Sequence, residues 1–137
     1  MRNAQRKLRV DLRALEEFAK RALQHCLALP ASAGVLPSLT EVNVVLVSDR
    51  RMAQLHQKFM GLPGPTDVLT FEHGEIVLSV ETARDNAARF RSSCEDEIRL
   101  YLVHGLLHLL GFDDRTAAQA RVMERRQAQI LRAALPA

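Results

Sequence analysis

At 137 residues the chain has the length of one domain, with enough material to bury a core without disulfides or a structural metal. It is 47% apolar and 26% charged, as an ordinary soluble globular protein is, and its two cysteines match neither a C-x-x-C spacing nor a disulfide framework. The net charge is +3 and 16 of the 19 basic residues are Arg (only Lys7, Lys20 and Lys58 are not), which permits a phosphate-bearing partner without demanding one.

The first predicted element is a short strand over 6–12, RKLRVDL. A helix follows over 12–29, because Leu12, Leu15, Phe18, Ala19, Ala22, Leu23, Cys26 and Leu27 share one face, which makes Cys26 a buried residue. Two prolines mark 30–38 as a loop, and TEVNVVLVS (40–48) reads as a buried strand. Ser48 or Asp49 caps a helix ending near Met60, and GLPGPT (61–66) cannot continue it. DVLTF (67–71) and EIVLS (75–79) are short strands joined by a tight turn; the second has no alternating polar positions and belongs in a sheet covered by helices. A helix over 80–90 precedes a long apolar one, opened by Ser92 with Glu95 three residues on and stopped by Gly111. Thr116 caps the last helix, 116–135. The sum is an α+β domain over 1–137: four strands in a small mixed sheet packed with about five helices. The N-terminus shows no apolar leader, and the run Leu106–Leu110 is too short to span a bilayer, so a cytoplasmic protein with no membrane partner is the simplest expectation.

The chemistry concentrates in HGLLHLLGFDD, residues 104–114. On a helix, residues four apart stack on one face, so His104 and His108 can reach one ion. Gly111 lets the chain turn back, and Asp114 can return to the same ion. The pattern H-x-x-x-H-x-x-G-x-x-D is metzincin-like, with aspartate as third ligand; two histidines and a carboxylate leave an open position for water. Asp113 competes with Asp114, and whichever does not bind can support a ligand from outside. The glutamate that follows the first histidine in H-E-x-x-H is Gly105 here, so a peptidase lacks its base. Glycine there implies either open space beside the metal or close approach of another segment. Two histidines and a carboxylate also fit an iron(II) facial triad, although helix-borne spacing fits the zincin pattern better.

HGLLHLLGFDD resembles the H-G-x-L-H-L-x-G-[YF]-D-H motif of the YbeY family, zinc-dependent endoribonucleases of ribosomal RNA maturation. PTDVLTF (65–71) is similar to the family's P-T-D-V-L-S-F, GEIVLSVETA (74–83) to its next strand and helix, and MERRQAQIL (123–131) to its closing helix. The resemblance runs from about residue 40 to 132. It implies a four-stranded α+β fold, one Zn²⁺ held by His104, His108 and Asp114, and RNA, in the form of ribosomal RNA or the small ribosomal subunit, as partner. Two positions depart from it. Asp114 stands where the family has a third histidine; the added negative charge makes a bound water less acidic and favours harder ions such as Mn²⁺. Met60 stands where the family has an arginine to meet phosphate, with Lys58 two residues away.

Other residues carry two readings each. Asp67 is a candidate base or a turn residue. Glu97 and Tyr101 share the stripe of the histidines, and Tyr101 is a site wall or a core residue. His56 and His73 flank the expected cleft as proton carriers or as packing. Arg115, Arg121, Arg125 and Arg126 form an RNA-facing edge or a solvated helix face. The non-enzyme alternative is an RNA- or ribosome-binding module with a mainly structural metal.

Overall fold

The computed structural model describes residues 1–30 and 34–136. Its strands are β1 (Arg2–Asn3), β2 (Asn43–Val47), β3 (Val68–Phe71) and β4 (Glu75–Ser79). Its α-helices are α1 (Leu12–Leu27), α2 (Asp49–Met60), α3 (Val80–Phe90), α4 (Cys94–Leu110) and α5 (Ala117–Ala134). The fold is α+β, as the pattern of elements implied. The strand order is β1-β2-β4-β3, with β2 parallel to both β1 and β4, and β3 antiparallel to β4. Of the loop expected at 30–38, residues 31–33 lie outside the described residues, and Leu36–Ser38 form a single 3₁₀ turn.

The sheet is covered on both faces. Val44, Leu46, Ile76 and Leu78 point into the larger core, built with α1, α3, α4 and α5. Val45, Val47, Leu69 and Val77 point the other way, against Met52 and Leu55 of α2. That double cover is why EIVLS carries no solvent-facing alternation. Helix α4 is the hub: Leu102, Val103, Leu106, Leu107, Leu109 and Leu110 are all buried. Truncating any one of these leucines to alanine costs about 2–5 kcal/mol.

Two local expectations shift. The strand expected at 6–12 is absent, and the parallel edge pairing is made by Arg2 and Asn3 instead. The cause is Gln5. Its Oε1 accepts from the Lys7 and Leu8 amides at 2.8 and 2.9 Å, and its Nε2 donates to the Leu8 carbonyl at 2.8 Å. A side chain thus takes the backbone groups a ladder needs. Asp11 then caps α1 by accepting from the Ala14 amide. At α4 the cap is Ser93, which accepts from the Asp96 amide at 3.0 Å, not Ser92. Arg91 ends α3 in the left-handed region (φ 56°), which sets Ser93 in extended geometry before the helix. Ser92 donates its hydroxyl to Glu97 instead. Between the two caps offered for α2, Ser48 is used; Asp49 accepts from Ser79 and Thr82 hydroxyls at 2.5 and 2.6 Å, tying α2 to α3.

Among the described residues, no helix is long and apolar enough to cross a membrane. Cys26 is buried on the α1 stripe as expected, and burial pushes its thiol up to about 12.

Candidate metal centre

His104 and His108 lie on the one half-exposed flank of α4. Their ring centroids are 4.5 Å apart and their Nε2 atoms 2.9 Å apart. The helix then stops on a paired reversal. Gly111 (φ 107°) donates to the His108 carbonyl at 3.0 Å, and Phe112 donates to the Leu107 carbonyl at 3.0 Å. This Schellman arrangement turns the chain back toward the histidines. Asp114 Oδ2 arrives 3.7 Å from His104 Nε2, and one ligand atom from each of His104, His108 and Asp114 lies within 4.8 Å of the others.

The choice between the two aspartates is geometric. Asp113 is held locally: its Oδ1 accepts from the Asp114 amide at 2.8 Å and its Oδ2 pairs with Arg115 Nε at 2.9 Å. Asp114 keeps its carboxylate for the histidines.

The donor set fits a divalent cation. Bonds of about 2.0–2.1 Å in tetrahedral geometry separate ligand atoms by about 3.3–3.4 Å, between the two distances found at His104. The two Nε2 atoms face each other 2.9 Å apart, in the place a shared cation would occupy. Burial is the main cause that lowers the His108 pKa, and the neighbouring His104 adds to it. A neutral imidazole is the form that ligates. His104 Nδ1, on the far side of its ring, is hydrogen-bonded to Gln127 Oε1 of α5.

Of the three, His108 lines a polar cleft of about 420 Å³, together with Thr70 and Glu72 from the β3–β4 hairpin, Asp113 and Arg115, and Gly34 and Val35. Gly34 is packed so tightly that a Cβ there would sit 2.1 Å from the Leu110 carbonyl carbon. The cleft wall therefore rests directly on the end of α4.

A family model described as "Endoribonuclease YbeY" matches residues 1–134. The chain belongs to the YbeY family. Proteins named "Endoribonuclease YbeY" are similar to it in Anaeromyxobacter sp. (strain Fw109-5), 39% identical over 68% of this chain and 54% of that protein, and in Moorella thermoacetica, 35% identical over 80% and 82%. The chain thus spans about half the length of the Anaeromyxobacter relative. The solution structure of TM1509 from Thermotoga maritima superposes with a TM-score of 0.66 at 26% identity, covering 97% of this chain and 87% of that one.

Gly105, the YbeY glycine between the histidines, is not beside open space. A Cβ there would meet Ile76 Cγ2 at 2.9 Å and Thr70 Cγ2 at 3.1 Å, so its role is close approach of α4 to the sheet. The zincin glutamate has no room. Met60, where arginine was expected, ends α2 with its side chain exposed. Lys58 lies over the Phe59 ring, 5.2 Å from its centroid. Asp67 stands outside the three-residue cluster, at the start of β3. Its Oδ1 accepts from the Val68 amide at 2.7 Å and its carbonyl accepts from the Ser79 amide.

The remaining candidates resolve by their contacts. Tyr101 is buried and accepts from Asn86 Nδ2 at 2.7 Å. Glu97 is buried beneath Ser92. His56 Nδ1 is bonded to the Gly64 carbonyl, and His73 stacks on Phe71. Gln127 is the residue that sequence reasoning passed over. Its signal was available: it falls between Met123 and Ile130 on the buried stripe of α5, a polar residue at an apolar offset.

Proposed function

We propose that residues 1–137 act as one metal-dependent endoribonuclease domain, cutting single-stranded regions of ribosomal RNA in a cytoplasmic maturation or quality-control step. The convergence of His104, His108 and Asp114, with His108 lining a polar cleft, carries this reading. Family membership and the name borne by its relatives support the substrate class.

His104, His108 and Asp114 would hold one divalent cation, Zn²⁺ or Mn²⁺. When bound, such a cation supplies Lewis acidity, activating a water and polarising a phosphoryl oxygen. The chain's own residues supply position and charge. Gly105 seats the helix against the sheet, the reversal at Gly111 delivers Asp114, and Asp113 holds Arg115 at the cleft. Arg115 is a cation lining that cleft, suited to a phosphate oxygen. Asp67 is the base candidate on sequence grounds alone; it stands outside the three-residue cluster, and its turn contact engages Oδ1.

The test is incubation of metal-loaded protein with structured RNA. Wild type should cleave, Asp114→Ala should not, and Asp67→Asn should slow cleavage with metal content unchanged. Cleavage that survives Asp114→Ala overturns the site assignment. One observation favours the second reading, an RNA-binding module with a mainly structural metal: the exposed thioether of Met60 offers phosphate nothing. That reading predicts RNA binding without cleavage, and no gain from Met60→Arg.

A further inference from the structure

We infer that Gln127 is a positioning residue for the metal centre: its amide oxygen fixes the tautomer and the ring plane of His104. The inference rests on the reading of His104 as a ligand. An amide oxygen only accepts, so His104 Nδ1 facing Gln127 Oε1 must carry the proton. Nε2 then keeps its lone pair, and Nε2 is the atom beside His108 Nε2 at 2.9 Å and Asp114 Oδ2 at 3.7 Å. Turned the other way, the amide would present its NH₂ to Nδ1, the proton would move to Nε2, and ligation would first have to displace it. The orientation of one amide thus biases His104 toward the tautomer that can ligate.

The placement of Gln127 suits the task. On α5, Met123, Ile130 and Ala134 are buried against the core while Gln127 sits half-buried among them. The end of α5 is fastened to α1 by Arg21 Nε, which donates to the Ala134 carbonyl at 2.6 Å. Arg126 turns away to bond Gln129, so it does not compete for the amide. Packing therefore holds the Gln127 backbone, and the side chain spans two helices that sequence separates by 23 residues. Outer partners of ligating histidines typically carry about 10–100-fold of metal affinity. A neutral amide does this without adding a second negative charge to a site that already contains Asp114.

The experiment compares wild type, Gln127→Leu and Gln127→Glu. Zinc affinity is read by competition with a chromophoric chelator, the tautomer of His104 by long-range ¹H–¹⁵N correlation on metal-free protein, and folding by urea titration. Wild type should show His104 protonated at Nδ1. Gln127→Leu should remain folded, show mixed tautomers and bind zinc about 10–100-fold more weakly. Gln127→Glu, which keeps an acceptor, should hold the Nδ1–H tautomer and bind at least as tightly as wild type. Equal affinity and an unchanged tautomer in Gln127→Leu overturn the inference, as does a wild-type His104 protonated at Nε2. If wild type binds no zinc, the metal reading fails, and the tautomer comparison alone decides Gln127 by the same two outcomes.

Discussion

Substitution of Gly105 measures how closely α4 is set on the sheet. An alanine Cβ would lie 2.9 and 3.2 Å from Ile76 carbons and 3.1 Å from a Thr70 methyl. Relaxed carbon contacts lie near about 3.5–4.0 Å, so each overlap is roughly 0.3–1.1 Å. Both neighbours are branched at Cβ and sit on the adjoining strands β3 and β4, which limits their retreat. Overpacking of this kind costs about 1–3 kcal/mol. The gain in helix propensity from glycine to alanine offsets about 1 kcal/mol of it. The expected net loss for Gly105→Ala is about 0–2 kcal/mol. Gly105→Glu, which restores the H-E-x-x-H motif, would bury an unpaired carboxylate between helix and sheet and should lose at least about 3–5 kcal/mol. Urea denaturation followed by far-UV circular dichroism gives both values. If Gly105→Ala is stabilised by the full propensity gain of about 1 kcal/mol, α4 does not press on Ile76 and Thr70, and the glycine is there for open space after all.

Three further expectations concern other links. Tyr101→Phe removes the bond from Asn86 and should lower stability by about 1 kcal/mol while leaving zinc affinity unchanged; a loss of affinity would make Tyr101 part of the site. Cys26 ionises near 12 when folded against an ordinary 9.0. The stability from its neutral thiol is therefore complete below pH 9 and is lost as pH rises toward 12, so urea midpoints should fall less steeply above pH 9 in Cys26→Ala than in wild type. Equal slopes would place that thiol in solvent. Arg115→Ala should weaken single-stranded RNA binding and reduce its salt dependence by the equivalent of about one phosphate contact; an unchanged salt slope would send the RNA elsewhere.

The architecture was legible because its signals are local. β4 is apolar without alternation, and the structure covers it on both faces. α4 has its stop at Gly111, and α5 has its cap at Thr116, with Gln119 completing the capping box. Where the reading slipped, a side chain had taken over backbone hydrogen bonds. Gln5 closes its own loop and displaces the first strand to Arg2–Asn3, and periodicity carries no trace of that. The meeting of His104, His108 and Asp114 was legible for the same reason as the helix: spacing four apart plus a glycine stop fixes a direction. Whether Gly105 meant space or contact was not, because its neighbours Thr70 and Ile76 come from strands more than two dozen residues upstream. Gln127 was missed on similar grounds, since its partner sits on another helix, although its place on an apolar stripe marked it as unusual.

Zinc content after equilibrium dialysis is the most direct test of the central claim, measured on wild type, His108→Ala and Asp114→Ala. Wild type should retain one zinc per chain, and each variant should lose it while keeping the far-UV spectrum of the fold. Equal zinc in all three proteins, or none in any of them, would contradict a centre built from His104, His108 and Asp114.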